Sequence, residues 1–265
     1  MDIKNKTIVL TGATGGIGRA IARRTSAAGA RLILVARDAE RLASLLGQLP
    51  GKGHRAVSAD LTSDSGRSKV VEACRVTTDV ALVINCAGIN DFGLFEEQSA
   101  ESVSKIVDVN LISPMLLCLD LLPTLRQQPE ALIVNIGSTF GSIGYPGFST
   151  YCATKFGLRG FTEALRRELA DSTVHVSYIA PRATRTDLNS DTIVAMNDAL
   201  GTTMDDPALV ADEVMRDLRA TTGTDKYLGW PEKLFVRINA VFPGLVDNSL
   251  RKQLPIIRRF AGSKT

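Results

Sequence analysis

Histidine is scarce in this chain, and its scarcity limits the chemistry that the sequence offers. His54 and His175 are the two histidines among 265 residues, and both lie in segments with the composition of β-strands. The chain also has no G-x-S-x-G sequence, the strand-to-helix turn that exposes a serine nucleophile in many hydrolases. A histidine-activated serine nucleophile is therefore not predicted.

Cysteines are too few and too scattered for a disulfide framework, and no metal site is predicted. They are Cys74, Cys86, Cys118 and Cys152, and no two of them form a C-x-x-C pair. Free cysteine is among the residues most often buried, and reduced thiols are typical of the cytosol. We therefore expect four reduced, packed thiols in a cytoplasmic protein.

Long apolar runs are also missing. The first residues contain no apolar segment of the secretory type, and Pro114, Asp120 and Pro123 interrupt the longest apolar stretch. A helix that crosses a bilayer needs about 20 consecutive apolar residues. Neither a secretory signal nor a transmembrane helix is expected.

Net charge is low, at +3, which does not indicate a nucleic-acid partner. The charge is nevertheless uneven, because residues 233–265 contain a single acid, Asp247, among several basic residues. The basic residues of this segment are Lys233, Arg237, Arg251, Lys252, Arg258, Arg259 and Lys264. Such an accumulation can indicate an anionic partner.

Apolar, β-branched segments alternate with helical patterns along the chain. The strand-like segments are 7–12, 30–37, 54–60, 80–88, 131–138 and 174–181, with Tyr227 to Trp230 as a candidate seventh. The helical patterns are 16–28, 39–48, 64–75, 100–125 and 151–170. Ser99 is a candidate N-cap, and Gly29 follows the first helix. The alternation predicts an α/β fold in which a doubly wound parallel sheet of about seven strands has helices on both faces. We expect one domain over residues 1–265, with a core at about 5–230.

A glycine-rich turn joins the first predicted strand to the first helix. The sequence TGATGGIG gives Gly12, Gly16 and Gly18 the spacing G-x-x-x-G-x-G, with Gly15 in addition. Glycines let a pyrophosphate approach the backbone, and a helix N-terminus offers it free N–H groups and the positive end of the helix dipole. The turn predicts a dinucleotide site, with a tight turn that binds no ligand as the alternative.

Together with later motifs, this turn resembles the cofactor motif of the short-chain dehydrogenase/reductase family. NCAG at 85–88 resembles the family's N-N-A-G, with Cys86 in place of an asparagine. PRATRT at 181–186 resembles its P-G-x-x-x-T, with Arg182 in place of glycine. The similarity extends over roughly residues 5–190. It implies a Rossmann fold and an NAD(P)-dependent oxidoreductase that acts on a carbonyl or a secondary alcohol.

The resemblance implies four catalytic residues, Asn110, Ser138, Tyr151 and Lys155. Tyr151 and Lys155 share a helix face at i and i+4, and the ammonium is expected to lower the pKa of the phenol. Ser138 is expected to orient the substrate oxygen. Asn110 lies in an apolar helical pattern that suits asparagine poorly. The family implies a local break there and a water-linked proton relay through Lys155; the alternative is an amide that satisfies a neighbouring backbone group.

The resemblance also assigns the cofactor contacts. Ala36 lies where NAD-selective members have an acid, and Arg37 follows with a guanidinium suited to a 2′-phosphate. This favours NADP(H), while the adjacent Asp38 leaves NAD(H) open. The expected cofactor-binding residues are Gly12, Thr14, Gly15, Gly16, Ile17, Gly18, Arg37, Asp60, Leu61, Asn85, Ala87, Gly88, Tyr151, Lys155, Pro181, Thr184 and Thr186.

The substrate pocket is expected from about 89–96, from 139–148 and from a lid at about 187–206. Apolar side chains in these segments favour an apolar or acyl-type ketone or aldehyde. They are Phe92, Phe95, Phe140, Tyr145, Ile193, Met196 and Met204. Arg182 and Arg185 leave an anionic substrate as the alternative.

The segment 231–265 departs from the glycine-rich tail that ends many short members of the family. It mixes apolar and basic residues at helical spacing, interrupted by Pro243 and Pro255. A packed helical appendage is favoured, and a basic amphipathic segment on an anionic membrane surface or over a lipid-like substrate is the alternative.

The helices near 100–125 and 151–170 resemble the family's dimer-forming pair, which implies a homodimer or homotetramer.

Two other functions are kept open. One is an isomerase, epimerase or dehydratase on the same fold, and the other is a non-catalytic nucleotide sensor or scaffold.

Overall fold

The computed structural model describes residues 1–221 and 223–262. Lys264 and the rest of 263–265, which belong to the predicted basic extension, therefore lie outside the described residues. Within the described ranges the strands are β1 (Thr7–Thr11), β2 (Arg31–Ala36), β3 (Arg55–Ser58), β4 (Val80–Asn85), β5 (Ala131–Ile136), β6 (Val174–Ala180) and β7 (Asp225–Tyr227).

The helices follow the strands in alternation. They are α1 (Gly16–Ala27), α2 (Ala39–Gln48), α3 (Asp64–Arg75), α4 (Ala100–Val107), α5 (Ser113–Leu125), α6 (Ser149–Glu168), α7 (Asp191–Ala199), α8 (Pro207–Ala220), α9 (Glu232–Val241) and α10 (Pro243–Ala261). A π-helical turn, Asp108–Ile112, joins α4 to α5. The Ser99 side chain caps α4, and Gly29 follows α1 with a positive φ of 86°, as expected.

All strands pair in parallel in the order β3-β2-β1-β4-β5-β6-β7. The predicted doubly wound sheet is confirmed. Ile8 and Leu10 of β1 pack into a core with α1, α2 and α8, while Val9 packs into the opposite core with α3, α5 and α6. The strand order reverses between β1 and β4, where parallel sheets of this type bind ligands beyond their carboxyl ends.

Several predicted boundaries were wrong. The seventh strand is Asp225–Tyr227 and not Tyr227 to Trp230, and the lid contains α7. Pro243 begins α10 and Pro255 lies inside it without ending it. A proline at the first helical turn lacks only an N–H that would have had no helical partner, so Pro243 is readily accommodated.

The expectation that Pro114, Asp120 and Pro123 leave no apolar stretch long enough to span a bilayer was also wrong by length and composition. The segment Ala100–Leu125 is one helical run, long and apolar enough by length and composition to cross a membrane. Its residues Leu117, Cys118, Leu121 and Leu125 are nevertheless buried in the core that α5 forms with β4 and β5. We interpret it as a core helix of the α/β layers.

Candidate functional site

The glycine turn between β1 and α1 requires glycine on steric grounds. Gly12 has a φ of +64°, and a Cβ there would lie 2.7 Å from the Ala87 backbone. A Cβ on Gly18 would lie 2.2 Å from the Gly12 carbonyl oxygen. Gly15 is the N-cap of α1 and supplies no side chain to its first N–H groups. The result is a backbone cradle at a helix N-terminus, and it fits a pyrophosphate.

A groove of about 370 Å³ extends from this turn along the carboxyl ends of β1, β2 and β4. Most of the predicted cofactor residues line it, namely Gly12, Thr14, Gly15, Gly16, Ile17, Gly18, Arg37, Asp60, Leu61, Asn85, Ala87, Gly88 and Thr186. The other four, Tyr151, Lys155, Pro181 and Thr184, line an adjoining cavity. Residues far apart in sequence are thus brought together in one continuous site.

The end of β2 carries the residues that would meet the adenosine ribose. Arg37 is exposed at the groove, whereas the Asp38 carboxylate caps α2 by accepting from the Arg41 N–H at 2.9 Å. Sequence reasoning missed Arg41, which lines the same groove and donates to the Thr14 carbonyl at 3.1 Å. Its position in the first turn of a helix capped by Asp38 was the available signal.

Two of the predicted cofactor-binding residues, Asp60 and Asn85, form hydrogen bonds with other residues of the chain. Asp60 accepts hydrogen bonds from the N–H and hydroxyl of Thr62, and these bonds lower its pKa. The Asn85 amide donates at 2.8 Å to Asn135 on the neighbouring strand, which in turn donates to Thr162. Asn85 therefore joins a buried polar chain across β4, β5 and α6, in addition to lining the groove.

Ser138, Tyr151 and Lys155 meet beyond the end of β5. Ser138 follows β5, and its hydroxyl lies close enough to the Tyr151 phenol to act on the pKa of that phenol. Tyr151 and Lys155 lie one turn apart on α6, with the Lys155 ammonium 5.6 Å from the phenol ring centre. Lys155 also donates to the Ile136 carbonyl at 3.1 Å. The geometry places a hydroxyl, a phenol and an ammonium around one point.

Burial is the main cause of the pKa shifts of Tyr151 and Lys155. It raises the pKa of Tyr151 to about 12, although the Ser138 hydroxyl acts in the opposite direction. It lowers the pKa of Lys155 to about 8. The expectation that the ammonium holds the phenol's pKa below its usual value was wrong for this structure. Loss of water on burial penalises the charged form of each group, and this is the largest cause of both shifts.

Asn110 lies in the π-helical turn between α4 and α5, so the predicted local break is present. Its Oδ1 accepts from the Ile89 N–H, and its Nδ2 donates to the Ile89 carbonyl, both at 2.8 Å. Nδ2 also donates to Thr154 on α6. The amide satisfies a neighbouring backbone, which was the alternative reading, and it fixes the loop after β4 beside Lys155. A role in proton relay stays a prediction.

Tyr178 is a functional residue that sequence reasoning missed. It is fully buried on β6, where its hydroxyl donates to the Ser138 carbonyl at 3.2 Å and accepts from the Ser138 N–H at 3.3 Å. Cβ atoms on Gly137 and Gly141 would lie 2.0 and 2.2 Å from Tyr178 atoms, so these glycines make room for it. The only sequence signal was one phenol inside the apolar run VSYIAP.

The adjoining cavity has a volume of about 460 Å³ and contains Ser138, Tyr151 and Lys155 in its wall. Of the predicted apolar lining, Phe140, Tyr145, Ile193 and Met196 line it. Three others do not fit that prediction. Phe92 packs against Phe148 beneath the site, Phe95 is exposed, and Met204 offers its carbonyl to Arg185.

The C-terminal helices complete this cavity, whereas the sequence offered a position over a substrate only as the alternative to a packed appendage. The lining residues from α9 and α10 are Glu232, Phe235, Ile238, Leu245, Val246, Ser249, Leu250 and Gln253. Gln253 accepts from the Tyr145 hydroxyl at 2.9 Å, and Asn239 donates to the Ser142 carbonyl at 2.8 Å. The extension is therefore a packed wall of the cavity.

Arg182, the residue in place of the family's glycine, is neutralised by acids of the chain itself. It binds Asp205 through two hydrogen bonds of 2.7 and 2.9 Å and Glu232 at 3.2 Å. These bonds join the loop after β6 to the end of the lid and the start of α9. Arg182 is thus engaged by two acids within the chain, and the Arg185 side chain donates to the Met204 carbonyl. Selection of an anionic substrate by these two arginines stays the alternative.

Comparison with known proteins agrees with this geometry. A model of the short chain dehydrogenase family matches residues 6–196. The 3-oxoacyl-[acyl-carrier-protein] reductase of Bos taurus is 35% identical over 188 residues, which are 71% of this chain and 79% of that protein. Dehydrogenase/reductase SDR family member 7B of Bos taurus is 31% identical over 261 residues, 92% of this chain and 79% of that protein.

A solved structure gives the same agreement at the level of the fold. The 3-ketoacyl-(acyl-carrier-protein) reductase from Brucella melitensis, complexed with NADH, superimposes with a TM-score of 0.80 at 25% identity. The match covers 87% of this chain and 99% of that one.

Proposed function

The chain belongs to the short chain dehydrogenase family of oxidoreductases, and on that premise we propose that it is an NADP(H)-dependent reductase of ketones or aldehydes. One observation carries this proposal. Ser138, Tyr151 and Lys155 line the apolar cavity, and this cavity shares five lining residues with the glycine-turn groove. The shared residues are Ile17, Cys86, Gly88, Thr186 and Leu188.

Ser138, Tyr151 and Lys155 have complementary tasks in such a reaction. A bound nicotinamide cofactor supplies the hydride. Tyr151, whose high pKa keeps it protonated at neutral pH, donates the proton to the developing alkoxide. Ser138 holds the substrate oxygen by a hydrogen bond, and the Lys155 ammonium stabilises negative charge on the phenol after the transfer.

The preference for NADP(H) is supported by charge at the end of β2. Arg37 is exposed at the groove, and Arg41 lines it while binding Asp187 and the Thr14 carbonyl, so two guanidinium groups lie on the side of the groove proposed for a 2′-phosphate. One carboxylate oxygen of Asp38 accepts from the Arg41 N–H as the cap of α2, so this acid is partly engaged within the chain. The solved relative from Brucella is a complex with NADH, which makes NAD(H) the second cofactor to test.

The substrate that we propose is an apolar or acyl-type carbonyl compound. Its support is the aliphatic and aromatic lining contributed by the lid and the C-terminal helices. Two of the similar proteins are by name reductases of 3-oxoacyl or 3-ketoacyl carrier-protein substrates. We place the reaction in the cytoplasm, since the four cysteines are free and burial raises the pKa of each thiol.

The direct test is NADPH oxidation with steroid, acyl-thioester, sugar and small aromatic carbonyls, repeated with NADH. We expect turnover with an apolar or acyl substrate and a lower KM for NADPH. Tyr151→Phe should reduce kcat by roughly 10²- to 10⁴-fold, because it removes the proton donor. NADPH affinity, followed by fluorescence, should change little. Full activity in this variant would refute the assigned role of Tyr151.

A further inference from the structure

The C-terminal helices carry an unusual concentration of exposed apolar side chains. Around α9 and the start of α10, Trp230, Leu234, Val241, Phe242 and Leu245 are 70%, 41%, 67%, 62% and 63% exposed. We call these five residues the apolar corner. Single exposed apolar residues are ordinary on soluble proteins, whereas a contiguous group marks an interaction surface.

The apolar corner follows from the helical period of α9. Val236 is buried and Asn239 binds Ser142, so this side of the helix faces the body of the protein. Leu234, Ile238 and Val241 follow the spacing i, i+4, i+7 and form a separate stripe. The stripe continues through the turn into Phe242 and Leu245.

This stripe is continuous with the wall of the substrate cavity. Phe235, Ile238 and Leu245 line the cavity, while Leu234, Val241 and Phe242 extend the same apolar face to the surface. An apolar path therefore leads from the exterior of the extension to Ser138 and Tyr151.

Positive charge is concentrated on the same two helices, α9 and α10. Six basic side chains lie between residues 233 and 262, all exposed, against the single acid Asp247. They are Lys233, Arg237, Arg251, Lys252, Arg258 and Arg259. Within residues 1–221 and 223–262, none of the six forms a salt bridge. Lys233 and Arg237 are one turn apart on α9, directly beside the apolar stripe.

We propose that the apolar corner and its basic flank dock the protein on an anionic phospholipid surface, with the mouth of the cavity against the lipid. Apolar side chains that enter the interface and cations that meet anionic headgroups are the two contributions that such binding needs. Binding of the protein to the lipid surface does not depend on its catalytic activity. Only the statement that an apolar substrate enters the cavity from the bilayer rests on the proposed reductase function.

The test is co-sedimentation of the full chain with phosphatidylcholine vesicles that contain or lack phosphatidylserine, at low and high salt. We expect binding that depends on phosphatidylserine and weakens with salt. The triple variant L234Q/V241Q/F242Q and the charge variant K233Q/R237Q should each lower partitioning by about tenfold or more. The matched control V76Q/L209Q removes side chains that are 60% and 51% exposed elsewhere and should bind as the wild type.

Circular dichroism and NADPH turnover of a small soluble carbonyl substrate confirm that each variant is folded. The proposal is overturned if the wild type stays in the supernatant with phosphatidylserine vesicles, or if the triple variant sediments like the wild type. It is also overturned if the triple variant changes only the oligomeric state, since the apolar corner would then be covered by a second copy. Vesicle binding by a chain without reductase activity would refute the proposed function and leave docking intact.

Discussion

Tyr178 illustrates how a single buried side chain can hold a reactive site in position. Its hydroxyl exchanges hydrogen bonds with both backbone groups of Ser138 and lies 3.4 Å from the Lys155 carbonyl. The Tyr178 hydroxyl thereby holds the segment after β5 against α6, the helix that carries Tyr151, the proposed proton donor. Preorganised groups of this kind need no rearrangement when charge develops in the reaction. Tyr178 is a positioning residue, because its bonds are to the backbone of the catalytic residues.

The pKa values of Tyr151 and Lys155 predict how reduction depends on pH. Tyr151, at about 12, retains its proton through neutral and mildly alkaline pH, whereas Lys155, at about 8, loses its charge as the pH rises past that value. We expect kcat/KM for reduction to be level at low pH and to fall as the pH rises through about 8. Initial rates from about pH 6 to about pH 10 provide the measurement.

Alkaline unfolding is the effect to control for in that profile. Burial raises the pKa of Cys74, Cys86 and Cys118 from 9.0 to about 12. The unfolded chain therefore releases these protons at lower pH than the folded one, and stability falls as the pH rises above about 9. Circular dichroism at each pH separates the two effects. A rate that stays level through pH 8 in the folded protein would contradict the role given to Lys155.

At the scale of elements, the sequence predicted those parts that depend on local pattern. The alternation of strands and helices, the caps at Ser99 and Gly29, and the cofactor turn all follow from residues close together in the chain. The π-helical turn at Asn110 was anticipated only through family resemblance. The partners of Arg182 were missed, because Asp205 and Glu232 lie 23 and 50 residues away in sequence. The cavity wall from α9 and α10 was anticipated only as the alternative in which the extension covers a lipid-like substrate.

The turn between β1 and α1 gives a prediction for Gly18→Ala. The new Cβ would lie 2.2 Å from the Gly12 carbonyl oxygen, so the turn must shift away from its cradle geometry. We expect loss of measurable NADPH binding and a stability loss of about 1–3 kcal/mol. Isothermal titration and thermal unfolding measure both. Unchanged NADPH affinity would exclude this turn as the pyrophosphate site.

Gly47→Ala is the matched control for that variant. Gly47 lies in α2, and a Cβ there meets nothing within 4 Å. Alanine should therefore stabilise the fold by roughly 0.5–1 kcal/mol and leave cofactor binding unchanged.

The lid and the extension give a prediction for Arg182→Ala. Arg182 joins Asp205 at the end of the lid to Glu232 at the start of α9, and its loss leaves two acids close together without their cation. We expect the substrate KM to rise about tenfold and the NADPH KM to stay within about twofold. Hydrogen exchange should increase in residues 187–206. Arg216→Ala, which removes an exposed arginine from its pair with Glu213 on α8, should change neither constant.

At the scale of the whole molecule, the surface of α5 and α6 predicts self-association. Ile112, Leu119 and Phe156 are exposed apolar residues on the run from Asp108 to Leu125 and on α6. We expect a homodimer or homotetramer through these helices, and L119E/F156E should shift sedimentation velocity toward the monomer. Val76→Glu is the control. An unchanged distribution for the double variant would place any subunit contact elsewhere.

The five residues shared by the groove and the cavity also have a kinetic consequence. Because the two spaces share Ile17, Cys86 and Gly88, a substrate that had already filled the cavity would obstruct the nicotinamide end of an arriving dinucleotide. We therefore expect a fixed sequence in which the dinucleotide enters first and the product departs before it. Product-inhibition patterns would reveal that sequence as competition between the two forms of the dinucleotide alone.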